Sequence, residues 1–260
     1  MKNLILLVDD NQEMIEVLSD ELCDKYEVIT SYNGQQALET LRKTDVQLII
    51  CDVMMPVMDG FDFCRAIKTD IAYSHVPIIL LTAKNTLQAR ITGLELGADA
   101  YIEKPFDTEH LHVQIANLIS NRQNLKNFFS RSPISSILSI AHTQSDEGFL
   151  RKLNIFFSEN IEDPNLDIEK IAALMNTSRT SLFRKIKAIS NLTPTELLTV
   201  IRLKKAAQIL SETDLKIFEV AYMTGFSSQT NFGRSFLKQF GTTPSEYHKK
   251  HYATKSKIKF

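Results

Sequence analysis

The chain has 260 residues, 43% hydrophobic and 23% charged, with a formal net charge of −1, which is enough for two ordinary globular domains or one large one. The charges favour two, because residues 1–120 hold 9 Lys and Arg against 19 Asp and Glu while residues 121–260 hold 21 against 12. An acidic half suits a divalent-cation site, and a basic half suits a polyanion such as DNA. Cys23, Cys51 and Cys64 are odd in number, lie in apolar or helical contexts and lack CxxC or Cys/His spacing, which speaks against a disulfide framework or a thiolate metal site and for reduced, buried thiols in a cytosolic protein. The first apolar run, Leu4–Val8, is too short for a signal-peptide core, and no run approaches the roughly 18 residues of a membrane span. No membrane contact by this chain is expected.

In the acidic half, short apolar or β-branched runs at Leu4–Val8, Glu27–Thr30, Leu48–Cys51, Val76–Leu81 and Ala100–Ile102 read as strands. Amphipathic stretches at Met14–Leu22, Gln35–Leu41, Phe61–Ile67, Leu87–Leu96 and Leu111–Ile119 alternate with them as helices. Near-continuous apolar strands are expected where helices cover both faces of a parallel sheet. The predicted fold is α/β, a doubly wound five-stranded parallel sheet whose chemistry lies in the loops after the strands.

Those loops carry the polar groups. Asp9 and Asp10 follow the first strand, Asp52 ends the third within LIICDVMMPVMDG, Thr82 ends the fourth, and Lys104-Pro105 follows the fifth. In a parallel sheet these ends converge. Three crowded carboxylates call for raised pKa values or a hard cation, and Mg²⁺, held by carboxylates, water and phosphate oxygens, fits best. A hydroxyl and an ammonium opposite them suit the oxygens of a phosphoryl group carried by Asp52.

The acidic pair, the strand-end Asp followed by MMPxMDG, the Thr-Ala pair and Lys-Pro-Phe resemble the receiver domain of two-component response regulators, over about residues 2–122. The resemblance implies that Asp52 is the phospho-acceptor. It implies Mg²⁺ held by Asp10, Asp52 and the backbone carbonyl of Met54, with Asp9 acting through the metal's water. Lys104 would pair with the phosphoryl group, Thr82 would swing its hydroxyl onto it, and Tyr101 would be the aromatic switch. Met54 and Lys84 match positions that tune loss of the phosphate to water. Output would pass through about Leu87–Leu118, a face through which many receivers dimerise by charged pairs. Here Leu111–Ser120 carries only His112 and polar amides, so the implied homodimer of the phosphorylated form is left without a defined geometry.

Residues 123–147 read as a linker with hydrophobic pieces, Phe128-Phe129 and Ile134–Ile140, too numerous for a free tether. After it the pattern is helical. Phe149–Phe157 opens an amphipathic helix, Ile168–Met175 and Arg179–Ile189 form a short pair, and Thr193-Pro194-Thr195-Glu196 caps a long helix reaching about Leu210. The order then repeats, with a short helix Ile217–Met223, a turn at Gly225, a helix within Ser228–Phe240 and a second cap at Thr243–Glu246. Leu182, Arg184, Ile186, Thr193 and Pro194 map onto Phe232, Arg234, Phe236, Thr243 and Pro244 at a constant offset of 50, whereas Ala172 maps onto Ala221 at 49. The second turn is therefore expected to be one residue longer.

Two short helices joined by a tight turn, the second with a basic outer face, form a helix-turn-helix. The paired copies, with AAQIL before the second and AYMTGFSSQTNFGRSFLKQFGTTPSEY through it, resemble the AraC-type DNA-binding domain over about Glu147–Tyr247. The expected organisation is a receiver at 1–122, a linker at 123–147, a seven-helix double helix-turn-helix domain at 148–252 and a basic tail at 253–260. By position, Ser178, Arg179, Thr180, Arg184 and Lys187, then Ser228, Gln229, Thr230, Asn231 and Arg234, face DNA. Arg179, Gln229 and Asn231 are placed to read bases, and the others to hold phosphates.

The implied partners are double-stranded promoter DNA, a histidine kinase as phospho-donor, and RNA polymerase. None of the six histidines lies in a kinase-like helical box, so the donor is another protein or another part of a longer one, and the arrangement resembles the C-terminal portion of hybrid two-component regulators. The expected place is the cytoplasm, including the cytoplasmic end of a membrane sensor. The expectation is a Mg²⁺-dependent phospho-acceptor and not an enzyme. Two alternatives are a phosphate sink or protein-interaction module, which leaves the basic repeat unexplained, and a Mg²⁺-dependent aspartyl-phosphate phosphatase. Such phosphatases often carry a second Asp two residues after the nucleophile, where this chain has Met54.

Overall fold

The computed structural model describes residues 2–83, 95–131, 136–141 and 144–256. Backbone contacts divide the chain into two compact units, Met1–Asn124 with His142–Asp146, and Leu125–Ala141 with Glu147–Phe260. No helix among the described residues is long and apolar enough to cross a membrane.

The first unit alternates β1 (Asn3–Val8), α1 (Gln12–Cys23), β2 (Tyr26–Ser31), α2 (Gly34–Lys43), β3 (Leu48–Asp52), α3 (Gly60–Thr69), β4 (Ile78–Thr82) and β5 (Ala100–Glu103), then enters α4 (Thr108–Arg131). The five strands form one parallel sheet in the order β2-β1-β3-β4-β5. Helices lie on both faces, as the apolar strands require. Ile5, Leu7, Leu48 and Ile50 pack with Leu18 and Leu22 of α1 and Leu111 and Ile115 of α4. Leu6, Val8, Ile49 and Cys51 pack with Ala37 and Leu41 of α2 and Phe63, Cys64 and Ile67 of α3 on the other face. The side chains of Asn11, Asn33 and Asp59 accept hydrogen bonds from first-turn amides of α1, α2 and α3, which fixes where each helix starts just beyond a strand end. The helix expected over Leu87–Leu96 lies largely outside the described residues.

Two residues between the end of β3 and the first turn of α3 are unusual. A Cβ on Gly60 would stand 2.2 Å from the carbonyl oxygen of Asp52, so the chain folds back on the acceptor strand only because that residue has no side chain. Val57 sits at φ 71, a left-handed conformation that is an outlier for a β-branched residue. Its side chain is 85% exposed and contributes little packing. Val57→Gly is therefore expected to raise the stability of this unit by about 0.5–1 kcal/mol, the relief of strain exceeding the added entropy of the unfolded chain, and a urea midpoint that falls would contradict it.

Residues 123–147 hold the end of α4, a 3-10 turn at Ile137–Ile140 and the start of α5 (Gln144–Asn160). Phe129, Ile137 and Ile140 are buried. Lys204 places its ammonium 3.9 Å over the Phe129 ring and donates to its carbonyl at 3.0 Å, and burial pulls that lysine down to about 8.

Six further helices follow, α6 (Ile168–Leu174), α7 (Arg179–Ser190), α8 (Pro194–Glu212), α9 (Ile217–Met223), α10 (Gln229–Phe240) and α11 (Pro244–Ser256), so that seven start from residue 144 onward. The repeat extends to the backbone. Asn176 and Gly225 take left-handed conformations in the two turns, and Asn191 and Gly241 take them at the carboxyl ends of α7 and α10. Both long segments after them open on the same cap, with Thr193 and Thr243 exchanging hydrogen bonds with Glu196 and Glu246. The second turn gains its extra residue between Gly225 and the cap Ser228, where Phe226 meets Phe232 edge-on at 5.2 Å. Phe232, Phe236, Phe240 and Tyr247 continue that aromatic row against Leu203, Ala206, Ala207 and Leu210 of α8.

Candidate phosphoryl site and nucleic-acid interface

Because β1, β3, β4 and β5 run parallel in register, their carboxyl ends bring distant residues together. Lys104, anchored by its backbone N–H on the carbonyl of Thr82 at 2.7 Å, reaches across the edge. Its ammonium donates to Asp9 Oδ2 at 2.9 Å and to Asp52 Oδ1 at 2.6 Å. Each carboxylate keeps its second oxygen on a backbone amide, Asp9 on Asn11 at 2.9 Å and Asp52 on Met54 at 2.6 Å. Asp9 and Asp52 are buried, whereas Asp10 is exposed at the rim.

Burial pushes Asp52 above the usual carboxylate range; Lys104 pulls it back in part, and the charge of Asp9 adds to the rise. Lys104 is also raised, because its hydrogen bonds to Asp52 and Asp9 outweigh the burial that alone would lower it. The lysine is therefore a fixed cation between two carboxylates, one of which is reluctant to hold its charge. Thr82 is fully buried at the end of β4. Tyr101 packs its ring against the face that holds Cys64, and its hydroxyl is buried without a hydrogen-bond partner.

The donors available at this edge are carboxylate oxygens and main-chain carbonyls, which suit a hard divalent cation. Among the described residues no three carboxylate, histidine or cysteine side chains stand together as a ready-made cage. An ion here would complete its shell from water and phosphoryl oxygens, as Mg²⁺ commonly does.

In the helical unit, Ser178, Arg179, Thr180 and Lys187 are exposed on or beside α7, and Arg184 is half-buried. On α10, Gln229, Thr230, Asn231 and Arg234 are exposed, and Ser228 is half-buried at its cap. Several have local work. Ser178 and Ser228 accept from the amides of Ser181 and Asn231 as N-caps, Lys187 bends back to the carbonyl of Asn191 at 3.0 Å, and Arg179 pairs with Glu169 of α6 at 2.7 Å. The Arg179–Glu169 pair joins the two helices of the first helix-turn-helix and leaves no trace in helical spacing. Lys185, fully buried beside the outward Arg184, and Arg202, half-buried in α8, were likewise not singled out by the sequence.

A response regulator receiver domain model matches residues 5–116 and a helix-turn-helix domain model matches residues 171–250. The chain is a receiver domain followed by an AraC-type helix-turn-helix domain. This receiver–helix-turn-helix chain is 37% identical over 246 residues, 95% of its length, to histidine kinase P4 of Formosa agariphila, of which it spans 18%. It is 39% identical over 146 residues to a Pyropia yezoensis protein named "Probable transcriptional regulator ycf27", covering 56% of this chain and 58% of that one. Among solved structures, the signal receiver domain of a signal transduction histidine kinase from Syntrophus aciditrophicus is 35% identical, covering 46% of this chain and 91% of that one with a TM-score of 0.44. The chain thus joins a receiver domain at residues 5–116 to a helix-turn-helix domain at residues 171–250, and it spans less than two thirds of the length of the Formosa agariphila and Pyropia yezoensis relatives.

Proposed function

We propose that the chain is a phosphorylation-controlled transcription regulator in which a histidine kinase, in trans or in another part of a longer protein, phosphorylates Asp52. The observation that carries this reading is Lys104, held at 2.9 and 2.6 Å between Asp9 and Asp52 at the open edge of the sheet. In the step, a carboxylate oxygen of Asp52 attacks the phosphorus of a phosphohistidine, the P–N bond breaks as the P–O bond forms, and the imidazole leaves. Lys104, already protonated, turns its ammonium toward the oxygens of the transferred group, and the Thr82 hydroxyl donates to another of them. Bound Mg²⁺, held by Asp10, Asp52 and the Met54 carbonyl with Asp9 acting through water, would supply charge neutralisation for the incoming phosphoryl group. As Thr82 moves, Tyr101 turns further inward and the receiver face changes, favouring a homodimer. The chain receives the group rather than turning over a substrate.

The output is occupancy of promoter DNA by α7 and α10, with Arg179, Gln229 and Asn231 reading bases and Ser178, Thr180, Arg184, Lys187, Ser228, Thr230 and Arg234 holding phosphates. RNA polymerase is the further partner at the promoter, and the cytoplasm is the compartment, whether the chain acts alone or as the end of a membrane sensor. The relative named a histidine kinase, matched along 95% of this chain, supports a hybrid arrangement. The test is fluorescence anisotropy on DNA from upstream of the protein's own coding region, with and without beryllofluoride and Mg²⁺. Affinity is expected to rise on treatment in the wild type and to stay flat in Asp52→Asn; equal affinities throughout would move control to a later step.

A further inference from the structure

Midway along α8, Arg202 meets the connection that leads into the first helix-turn-helix copy and the turn of the second. Its Nη2 donates to the carbonyl of Asp163 at 2.5 Å, in the connection between α5 and α6 that leads into the first copy. A Cβ on Gly225, in the turn of the second copy, would stand 2.8 Å from the Cζ and the Nε of Arg202. That same Cβ would lie 2.3 Å from the carbonyl oxygen of Ile161. Gly225 adopts φ +75 and so is held there both by its conformation and by the space the guanidinium fills. The Nε of Arg202 is buried without a hydrogen-bond partner. Three segments thus close on one planar cation: the 161–163 connection, α8 and the second turn.

A single helix joining two units sets their separation along its axis but resists twist and bend only modestly over five turns or so. A second contact away from that axis removes the remaining freedom, and a rigid, always-charged planar fork is well suited to it. Two recognition helices that enter successive major-groove segments must match a repeat of about 34 Å and about 10 base pairs. The geometry points to Arg202 as a positioning residue that fixes the rotation between the two copies and so selects the spacing between the two halves of the DNA site. This inference rests on the DNA-reading role of the helical unit proposed above.

The experiment uses the full chain. A tight duplex is selected from a random DNA pool, and binding is then measured to that duplex, to versions with one base pair inserted or removed between its halves, and to a version with one half scrambled. The wild type is expected to lose about tenfold or more on a one-base-pair change, which rotates one half by roughly 35° about the helix axis. Arg202→Met, which keeps the apolar stem, is expected to weaken binding to the parent duplex, to cut the spacing penalty to about threefold or less, and to bind the half-scrambled duplex as the wild type does. A spacing penalty as large in Arg202→Met as in the wild type would overturn the inference. Should Arg202→Met lose its helical circular dichroism, Arg202→Lys keeps the charge without the fork, and an undiminished penalty there is equally fatal. Failure to select any duplex would bring down the DNA-binding reading and this inference with it, an outcome distinct from tight but spacing-blind binding by the wild type, which would overturn this inference alone.

Discussion

Asp52→Asn is expected to abolish uptake of a phosphoryl group from acetyl phosphate in Mg²⁺ and at the same time to make the receiver more resistant to heat. The first effect follows because the amide has no nucleophilic carboxylate oxygen. The second follows from the electrostatics of the site. Asp52 in the folded protein is raised by burial first, and by Asp9, with Lys104 offsetting only part of this. The folded state therefore holds the proton more tightly than the unfolded chain, and the ionised carboxylate costs stability wherever it is charged. That cost is fully present above the folded pKa and vanishes as pH falls below the unfolded value of about 3.8. Asparagine removes it while leaving Lys104 its partner Asp9 at 2.9 Å. A gain in stability, read as a higher midpoint of the receiver transition near pH 7, is expected to shrink on acidification. Gel retardation of the phosphorylated form checks the first effect and thermal unfolding from pH 7 downward the second. A gap that widens in acid would contradict the assignment of Asp52 as the strained group.

The receiver fold was legible because its strands are apolar on both faces. Leu4–Val8 and Leu48–Cys51 alternate with nothing, which only a sheet covered on both sides tolerates, and each is followed at once by a polar strand-end residue. The observed strands differ from the expected ones by no more than two residues at either end. The pairing of Lys104 with Asp9 as well as Asp52 was less legible. It depends on side-chain reach across β1, β3 and β5, and spacing along the chain gives no information on which of two adjacent aspartates turns inward. Asp9 is the buried one, accepting from the Asn11 amide, while Asp10 is left exposed at the rim.

The helical half was legible through its repeat. An offset of 50 that holds through Leu182, Arg184, Ile186 and Pro194 cannot be read from one copy, yet two copies fix the helices, the turns and their caps together. What the repeat conceals is its asymmetry. Phe183 corresponds to Gly233 and Lys185 to Ser235, and the buried Lys185 stands beside an outward arginine with the same period. Helical periodicity places a residue on a face to within a fraction of a turn, so adjacent basic residues at a face boundary are not resolved by it. Arg202 escaped for the same reason. It lies beside buried Val200 and Leu203 in α8, and only the approach of Gly225 reveals what it does.

Two substitutions in α10 separate phosphate holding from base reading. Arg234 is exposed one turn along from the exposed Thr230, on the side of the helix opposite Phe232 and Phe236, whose rings are buried in the aromatic row. Arg234→Glu is therefore expected to leave folding intact, to weaken binding to every DNA sequence by about tenfold or more near physiological salt, and to reduce the slope of log affinity against log salt by about 1. Asn231, exposed in the first turn of the same helix, is in a different position. Asn231→Ala is expected to leave non-specific binding and its salt slope nearly unchanged while relaxing preference at one base pair by about 5- to 150-fold, the equivalent of about 1–3 kcal/mol for a two-pronged amide contact with adenine. Ser228 should behave differently again, because its hydroxyl caps the helix on the Asn231 amide, and Ser228→Ala would lower stability by about 1 kcal/mol before it affected DNA. Affinity measured against a selected site, its single-base variants and bulk DNA over a salt series distinguishes the three. An Arg234→Glu protein with unaltered affinity and slope would make the basic face a solvated surface and return the receiver to the role of a phosphate sink, since a groove-bound helix cannot reverse a charge one turn from its leading end without loss.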